Sequence, residues 1–407
     1  MMYSLAIYFY MLAVILVSPF HKKARLIVKG HWNTFRILRK KIVKGEKYVW
    51  FHAASLGEFE QGRPLMERLR REHPEYRILL TFFSPSGYEV RKDYDGADVV
   101  CYLPFDTPGN VRSFLRLARP CMAFFIKYEF WNNYLHACRR KGIPVYSVSS
   151  IFRPNQVFFR WYGKQYSDVL HCITHFFVQN ESSRQLLAAR GIDHVTVVGD
   201  TRFDRVLDIC RQSKELPLVA SFKQGSTVMV AGSSWAPDED LIIPYFNERK
   251  DMKLVIAPHV IAESHLKEIE GKLKRPAVRY TQATEQSVRQ ADCLIIDCYG
   301  LLSSIYRYGE MAYVGGGFGV GIHNVPEAAV YGIPVLVGPN NKKFREAQAL
   351  LATGGCIEVT DQASFDNIMD KLLADKEYLM QAGSVAGRYI SGNAGASDVI
   401  YRTVFGS

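Results

Sequence analysis

Several common functional signals are missing from this sequence. The eight cysteines are scattered, and no two of them have the Cys-x-x-Cys spacing of a zinc or redox site. There is no internal repeat and no low-complexity segment. Neither Gly-x-x-x-x-Gly-Lys-Ser/Thr nor a clean Gly-x-Gly-x-x-Gly occurs, and no helix-turn-helix, zinc-finger or ribonucleoprotein motif is apparent. The sequence therefore argues against a zinc site, a P-loop enzyme and a common nucleic-acid-binding module.

The composition is that of a globular protein with an excess of positive charge. Of the 407 residues, 48% are hydrophobic and 22% are charged, and the length favours two domains. The net charge of +11 indicates an anionic partner: nucleic acid, an anionic membrane surface or a phosphorylated substrate. Scattered cysteines are typical of free thiols in a reducing compartment, so we expect the catalytic part to be cytoplasmic.

The first 20 residues carry no charge, and ten Lys or Arg against one acid follow between residues 21 and 50. About 20 helical residues match the ~30 Å hydrocarbon core of a bilayer, and the basic flank places the body on the cytoplasmic side. We therefore expect a membrane anchor in residues 1–20, spanning or inserted, with the basic flank on anionic lipids of the inner membrane. A cleaved signal peptide would begin with a basic stretch, which is missing here. The other alternative to an anchor is a helix of the protein core.

Short apolar strands alternate with amphipathic helical stretches from Lys47 onward, which is typical of an α/β fold with parallel sheets. The predicted strands are 48–52, 77–81, 97–102, 121–126, 144–148, 175–178, 227–231, 253–257, 293–297, 311–314 and 334–337. The pattern pauses between about 203 and 224. We predict two Rossmann-like domains facing each other across a cleft, residues 21–205 and 206–407, with the final helix either in the second domain or packed back on the first.

Ligands of such sheets bind at the carboxyl ends of the strands, so the turns there are the candidate sites. In His52-Ala-Ala-Ser-Leu-Gly-Glu58, the glutamate is either a helix-start charge or a base. In the second half, Gly315–Gly321 is either a tight turn or an anion-binding loop, followed by a helix whose N-terminus would face an anion. Ala231-Gly-Ser-Ser234 offers a second turn of the anion-binding kind.

These motifs resemble a known family. Gly315-Gly-Gly, His323-Asn324, Glu327-Ala-Ala and Tyr331–Pro339 are similar to the nucleotide-sugar half of the bacterial Kdo transferases, which transfer 3-deoxy-D-manno-octulosonic acid (Kdo). The turn from His52 to Glu58 resembles the signature turn of that family. Tyr128–Asn132 is similar to its Glu-x-Trp segment, and Gly199–Asp204 to its Gly-Asn-x-Lys-Phe-Asp segment. The resemblance spans nearly the whole chain, in the family's order.

The resemblance implies an inverting GT-B glycosyltransferase of lipopolysaccharide biosynthesis that needs no metal or other cofactor. The donor would be CMP-Kdo and the acceptor a lipid A precursor. Glu58 would be the general base, and the small residues beside it would leave room for a sugar. The other residues expected to bind substrate are Ser55, Gly57, Lys127, Glu129, Arg153 and Arg202. Those expected to bind the donor nucleotide are Ser233, Ser234, Pro258, His259, Gly316, Gly317, Asn324 and Glu327.

Expected roles follow from charge. Kdo carries a carboxylate and the acceptor carries phosphates, so cations are needed, in the order Arg202, Lys127, Arg153; a solvated surface charge is the alternative for each. Glu327 would accept the ribose hydroxyls, or be only a charge favoured by the helix dipole. Glu129 would position Kdo hydroxyls or make a structural hydrogen bond.

Three positions depart from the family pattern. Lys127-Tyr128 stands where the family has Glu and Thr, Arg202 replaces a lysine, and Pro258-His259-Val260 replaces Pro-Arg-His. His259 either replaces the missing arginine near a phosphate or has no binding role. These changes concern donor contacts more than the reaction.

The basic segment after the anchor carries Trp32, Phe35 and Arg36, which would contact the membrane and acyl chains or pack against the first domain. The rival functions are another GT-B transferase or nucleotide-sugar epimerase, and a membrane-tethered nucleotide- or nucleic-acid-binding protein without catalysis. Because the basic residues concentrate beside the apolar segment, we do not expect a nucleic-acid partner.

Overall fold

A computed structural model of the protein describes residues 2–406. By its internal contacts, the chain divides into two compact units. The first unit comprises Met1–Arg205 and Ala394–Ser407, and the second comprises Val206–Asn393. The end of the chain belongs to the first unit.

The first unit is an α/β unit with seven strands. Its strands are β1 (Lys47–Ala53), β2 (Tyr76–Phe82), β3 (Val99–Tyr102), β4 (Pro120–Ile126), β5 (Val145–Ser150), β6 (His175–Val178) and β7 (Val195–Val197). Its helices are α1 (Met2–Val17), α2 (Lys22–Lys41), α3 (Leu56–Glu72), α4 (Pro85–Arg91), α5 (Pro108–Ala118), α6 (Asn132–Arg140), α7 (Lys164–Ser167), α8 (Glu181–Ala188) and α9 (Arg202–Arg211), which continues across the division. Single 3₁₀ turns lie at Val157–Phe159, Trp161–Gly163 and Leu170–Cys172.

The second unit repeats this architecture. Its strands are β8 (Thr227–Ser234), β9 (Met252–Pro258), β10 (Ala277–Arg279), β11 (Cys293–Ile295), β12 (Met311–Val314), β13 (Val335–Val337) and β14 (Cys356–Glu358). Its helices are α10 (Pro217–Lys223), α11 (Ala236–Glu248), α12 (Glu263–Lys272), α13 (Glu285–Gln290), α14 (Leu302–Ile305), α15 (Val325–Ala329), α16 (Arg345–Thr353), α17 (Gln362–Ala374) and α18 (Lys376–Gly392), with 3₁₀ turns at Tyr280–Gln282 and Tyr306–Tyr308. The last helix, α19 (Ala396–Phe405), belongs to the first unit.

All strand pairs in both sheets are parallel, as predicted. The first sheet has the order β3-β2-β1-β4-β5-β6-β7 and the second β10-β11-β9-β8-β12-β13-β14. The direction of winding therefore reverses between β1 and β4 in one sheet and between β8 and β12 in the other. Such switch points leave a crevice at the carboxyl ends of the strands, where ligands bind in open α/β sheets.

The sheets are buried on both faces, which explains why the strands read as near-continuous apolar runs. Neighbouring residues of β1 enter opposite cores: Trp50 packs in a cluster with Tyr134, and Phe51 in a separate cluster with Phe124. In the second unit, strand residues such as Met229 pack against the helices that cover one face. The turns that follow the strands are thus held by well-packed elements.

The N-terminal helix differs from the predicted anchor. Helix α1 has 16 residues and ends at Val17, because Ser18 to Phe20 form a turn that contains Pro19. Among residues 2–406, no helix has both the length and the apolar character needed to cross a bilayer. A spanning helix over residues 1–20 is therefore corrected to a shorter apolar helix, and residue 1 lies outside the described residues.

Candidate active site

Helix α3 begins directly after β1, at the switch-point edge of the first sheet. Ser55 precedes the helix, and its side chain makes no capping hydrogen bond. Gly57 is exposed, and a Cβ added to it would meet no atom within 4 Å. The half-buried Glu58 carboxylate accepts a hydrogen bond of 2.5 Å from the Ala54 N–H. Glu58 thus closes the turn, as a residue at a helix start does, beside the open space at Gly57.

The electrostatic surroundings of Glu58 suit proton transfer near neutral pH. Burial and the nearby charge of Glu129 raise the pKa of Glu58 to about 7, although the Ala54 N–H and the Lys127 charge oppose this rise. A general base is most effective when its pKa lies near the working pH. The helix-start reading and the base reading of Glu58 are therefore compatible.

The turn after β4, the other strand at the switch point, brings Glu129 to the same region. Its Oε2 accepts a hydrogen bond of 2.7 Å from the indole N–H of Trp131. The same oxygen lies 3.2 Å from Nε2 of His52, which is fully buried in β1. Glu129 therefore has structural hydrogen-bond partners of its own, and its carboxylate stays close enough to Glu58 to influence it.

Two predicted cations lie on neighbouring turns. Lys127 follows β4 with a left-handed backbone (φ 60°), and its carbonyl accepts a hydrogen bond of 2.9 Å from the Ser150 hydroxyl. An L-residue in this conformation is strained and is held by its surroundings, which is common at functional sites. Arg153 lies in the loop after β5 with an exposed side chain. Lys127 is thus fixed beside Glu58, whereas Arg153 has the exposure of a surface cation.

Arg202 is the most firmly positioned of the three cations. Its Nε and Nη2 donate hydrogen bonds of 3.1 and 2.8 Å to Oδ2 of Asp200. Asp200 is buried and also accepts from the amides of Gln61 (2.8 Å) and Gln179 (3.1 Å). Burial raises the pKa of Asp200, but the Arg202 charge and these hydrogen bonds outweigh it and lower the pKa. A charged, pre-oriented guanidinium is therefore present at the start of α9.

In the second unit, two glycines of the 315–321 loop lie close to neighbouring protein groups. The Gly316 N–H donates a hydrogen bond of 2.8 Å to Oδ2 of Asp238, whose Oδ1 accepts 2.8 Å from the Tyr313 hydroxyl. A Cβ on Gly317 would lie 2.5 Å from Cα of Gly338. Because the positive φ of Gly316 (93°) and the close approach of Gly317 to Gly338 already favour glycine, the glycines alone do not demonstrate an anion site.

The helix after this loop is shorter than the anion-binding prediction assumed. Helix α15 has five residues, so its macrodipole is small. Asn324 precedes it, and the Asn324 side-chain amide donates a hydrogen bond of 2.7 Å to Oε1 of Glu327. Two of the residues predicted to bind the donor nucleotide are thus partners of each other at the start of this helix.

The turn after β8 contains two serines with different surroundings. Ser233 is partly exposed and has a left-handed backbone (φ 53°). Ser234 is buried, and its hydroxyl donates 2.8 Å to Oε1 of Glu239, which lies 3.1 Å from Nε2 of His265. Ser233 is therefore the serine of this turn with a side chain open to a ligand, and Ser234 contributes to the shape of the turn.

An aromatic stack lies at the same edge of the second sheet. His259, which follows the buried Pro258 of β9, stacks between Trp235 and His323 at ring-centroid distances of 4.7 and 4.5 Å. The Trp235 indole N–H lies 3.2 Å from Nε2 of His323. Burial and the proximity of His259 lower the pKa of His323. An exposed His259, stacked between the partly buried Trp235 and His323, thus lies in the region where an arginine was expected.

The structure therefore gathers Glu58, Lys127 and Glu129 in the first unit, and brings the ends of β8, β9 and β12 together in the second. Sequence reasoning did not single out His52 or Asp238, which hold these turns. His52 opens the first motif, so its place directly before the turn was a usable signal. Asp238 carried no local signal, because its partner at Gly316 is 78 residues away.

Comparisons with known proteins bear on the class of enzyme. A family model described as 3-deoxy-D-manno-octulosonic-acid transferase (Kdo transferase) matches residues 30–205. The 3-deoxy-D-manno-octulosonic acid transferase of Aquifex aeolicus (strain VF5) is 28% identical, covering 81% of this chain and 87% of that protein. The enzyme of the same description from Bordetella pertussis is 26% identical, covering 86% of this chain and 85% of its own length.

Solved structures share the fold at low sequence identity. The UDP-GlcNAc 2-epimerase from Neisseria meningitidis, solved bound to UDP-GlcNAc, has a TM-score of 0.60 and 16% identity, and covers 88% of this chain and 100% of that chain. CalG4, the calicheamicin glycosyltransferase, has a TM-score of 0.52 and 12% identity, covering 88% of this chain and 98% of that one. These likenesses show a GT-B-like fold.

The two α/β sheets and the sequence matches define an enzyme of the glycosyltransferase class. Within that class, the matches support a Kdo transferase: the family model covers residues 30–205, and the curated relatives resemble this chain over most of its length. These matches support the predicted Kdo transfer and favour a glycosyltransferase over a binding protein without catalysis.

Proposed function

We propose that this enzyme transfers Kdo from CMP-Kdo to a hydroxyl of a lipid A precursor, with Glu58 as the general base. The observation that carries the assignment of the base is the environment of Glu58. Its carboxylate is half-buried beside an open space, and burial together with Glu129 raises its pKa to about 7. Glu58 can therefore accept a proton near neutral pH.

In the proposed reaction, the acceptor oxygen attacks the anomeric carbon of Kdo while its proton moves to Glu58. The bond between that carbon and the phosphate oxygen breaks, and its electron pair leaves with CMP. A single displacement of this kind inverts the configuration. Proton removal by a positioned base is typically worth about 10²–10⁴ in rate, because a neutral hydroxyl is a poor nucleophile.

The fixed cations of the first unit would bind the anionic groups of the substrates. Arg202 is the strongest candidate, because Asp200 orients its guanidinium at 2.8 Å, and a planar guanidinium suits a carboxylate or phosphate. Lys127 is second, because it lies close enough to Glu58 to lower the pKa of that carboxylate. Arg153 is third, because its side chain is exposed.

The second unit would hold the CMP portion of the donor. Ser233, Asn324 and Glu327 have side chains at the surface of this edge, and Glu327 would accept ribose hydroxyls. The Gly316 N–H and the Ser234 hydroxyl already have protein partners, and Gly317 packs against Gly338, so these three residues would shape the site. His259 would contact the phosphate or the base from its aromatic stack.

The membrane contact belongs to the same proposal. Helix α1 exposes large apolar side chains, among them Phe9 and Leu16, and basic residues end α2. Trp32 is 70% exposed in α2, whereas Phe35 packs against the first unit's core. We infer that α1 inserts shallowly at the cytoplasmic face of the inner membrane, with α2 on anionic headgroups, each basic residue adding about 1 kcal/mol.

The test is transfer from CMP-Kdo to a tetraacylated disaccharide bisphosphate, with products weighed by mass spectrometry. Glu58→Ala should lower transfer at least about 100-fold while CMP affinity, measured by calorimetry, is retained. Glu60→Gln is the control: Glu60 is a helix neighbour that pairs with Arg91 at 2.9 Å, and we expect it to stay active. Normal transfer by Glu58→Ala would refute the assignment of Glu58 as the general base.

The proposal includes no metal and no other cofactor. Transfer should therefore continue at the same rate after dialysis against EDTA, and full dependence on an added divalent cation would contradict it. Turnover of UDP-GlcNAc in place of CMP-Kdo would instead favour the epimerase chemistry of the structural neighbours.

A further inference from the structure

A surface groove lies between helices α5 and α6 of the first unit. It encloses about 420 Å³, within the ~300–1,000 Å³ that small-ligand sites occupy. On each helix the lining residues recur with helical spacing, so each helix contributes one face to the groove. The groove therefore results from the packing of two regular helices, and the fold fixes its walls.

The groove has an apolar floor and a basic rim. The floor consists of three side chains that are at most 7% exposed: Val111, Leu115 and Ala137. The rim consists of three exposed cations: Arg112 from α5, and Arg140 and Lys141 from α6. No acid occurs among the described residues that line the groove. This arrangement suits a ligand that has an anionic part next to an apolar part.

The three cations of the rim have no carboxylate partner. Within residues 2–406, no ion pair involves Arg112, Arg140 or Lys141. Elsewhere on the same unit, arginines of a surface helix are paired: in α3, Arg63 lies 2.7 Å from Glu67, four residues further on. The charges of the rim are therefore available to an anion from outside the chain.

Helix electrostatics explains only part of the rim. Arg140 ends α6 and Lys141 follows it, where the negative end of the helix dipole favours a cation. Arg112 lies in the second turn of α5, beyond the reach of a favourable helix end, and it faces two like charges. An anion bound in the groove would relieve this repulsion.

The groove adjoins the helices of the proposed membrane contact. Helix α5 packs against both α2 and α6, and residues of all three helices belong to one core cluster on the same face of the sheet. Asn133, which lines the groove, also accepts a hydrogen bond of 3.3 Å from the Ser4 hydroxyl of α1. The groove thus belongs to the layer of helices that would face anionic headgroups.

Two of the cations lie away from the catalytic turn. A helix that joins two parallel strands runs from their carboxyl edge back to their amino edge. Glu58 lies at the carboxyl edge, where α6 begins, whereas Arg140 and Lys141 lie at the other end of α6, about 12 Å along its axis. These cations are therefore placed for a group other than the reacting end of the acceptor.

We propose that this groove binds the headgroup of an anionic membrane phospholipid. The three cations contact its phosphate, for which the planar guanidinium of arginine is well suited. The floor of Val111, Leu115 and Ala137 contacts the glycerol backbone and the first methylenes of a chain. The site adds selectivity for one class of lipid to the shallow insertion of α1, and it does not depend on Glu58 as the base.

The experiment is calorimetric titration of the full-length enzyme with dihexanoyl phosphatidylglycerol below its critical micelle concentration, so that no bilayer is present for α1 to enter. We expect saturable binding at least about 10-fold tighter than that of dihexanoyl phosphatidylcholine, whose own cation offsets its phosphate. Glycerol phosphate, which lacks the chains, should also bind more weakly. Equal binding of either compound would overturn the assignment.

Two double variants test the position of the site. Arg112→Gln with Arg140→Gln should weaken binding of the short-chain phosphatidylglycerol at least about 10-fold. Arg116→Gln with Arg139→Gln is the matched control, because it removes the same charge from the same helices at exposed positions outside the described lining. The control should bind as the parent does, and equal losses in the two variants would refute the groove.

The acceptor is the other source of phosphate, and a competition experiment distinguishes it. A deacylated glucosamine disaccharide bisphosphate should not displace the short-chain phosphatidylglycerol from the parent enzyme. Displacement would assign the cations to the phosphates of the acceptor and overturn the phospholipid site. Because the lipid is monomeric, failure of α1 to insert into membranes would leave these results unchanged.

Discussion

At the scale of single residues, Glu58 has to satisfy two demands that conflict. It closes the turn before α3 by accepting the Ala54 N–H, and its surroundings make its charged form costly. In the folded protein the pKa is about 7, against a usual value of 4.5, so folding favours the protonated form. The stabilisation from that preference is present below about pH 4.5 and is lost as the pH rises through 7.

Glu58→Gln should therefore stabilise the protein at alkaline pH while it removes the base. We expect a gain on the order of 1–3 kcal/mol in unfolding free energy at pH 8 and almost none at pH 4, because one pKa unit corresponds to about 1.4 kcal/mol. Urea unfolding at the two pH values measures it. Glu60→Gln, which loses a surface ion pair, should show no such gain; a Glu58→Gln variant no more stable at pH 8 would contradict the burial argument.

At the scale of elements, two helix starts can be compared directly. Gly57 is the second residue of α3, and Gly109 is the second residue of α5. Both are exposed, and a Cβ on either would meet no atom within 4 Å. Packing therefore does not require glycine at either position. A difference in activity between alanine variants at the two positions would come from contact with a ligand.

Gly57→Ala and Gly109→Ala should both fold at least as well as the parent, with gains of up to about 1 kcal/mol from helix propensity. Only Gly57→Ala should lower kcat/KM for the acceptor, because its methyl group would enter the space beside Glu58. Thermal unfolding and initial rates test the pair. Equal activity of both variants would argue against sugar binding at this turn.

The glycine loop of the second unit depends on a carboxylate from α11. Asp238 accepts hydrogen bonds from the N–H groups of Gly316 and Trp235 and from the Tyr313 hydroxyl. Asp238→Ala would leave these donors without their partner, at about 1–3 kcal/mol for each buried donor. We expect a loss of about 3 kcal/mol or more in unfolding free energy, together with weaker CMP binding.

Asp240 provides the matched control on the same helix. It is exposed and pairs with Lys272 at 2.9 Å, so Asp240→Ala should cost less than about 1 kcal/mol. Urea unfolding compares the two variants. Equal losses would mean that the loop does not depend on Asp238.

At the scale of the whole molecule, the proposed membrane contact rests on two neighbouring helices: α1 exposes apolar side chains, and α2 carries eight Lys or Arg and no acid. Helix α1 is attached to the first unit through hydrogen bonds from Tyr3 to Asp106 and from Ser4 to Asn133. Deleting residues 1–20 should release the protein from membranes, but it also removes these contacts. Substitution of exposed side chains separates the two effects.

Phe9→Ser with Leu16→Ser should weaken sedimentation with anionic vesicles, because two side chains more than 60% exposed would no longer enter the bilayer. The fold should be retained. Met380→Ser with Val399→Ser, which changes exposed apolar residues elsewhere, is the control and should bind as before. Undiminished binding of the Phe9 and Leu16 variant would refute α1 as the attachment.

Much of the architecture was predictable from the sequence, because a parallel sheet buried on both faces produces apolar runs separated by helical stretches. Three strands were not predicted: β7, β10 and β14. They have three residues each and lie at sheet edges, where a strand needs little hydrophobic pattern. The length of α1 was misjudged because apolar character continues through Pro19, beyond the end of the helix.

The sequence by itself determined the class of fold, the candidate turns and, through its motifs, the resemblance to the Kdo transferases. Only the tertiary structure decided how those turns are held. Glu129 meets His52 across 77 residues, and Gly316 meets Asp238 across 78. Which distant residues come into contact depends on which strands are neighbours in the sheet. Strand order is a property of the folded chain rather than of any local sequence pattern.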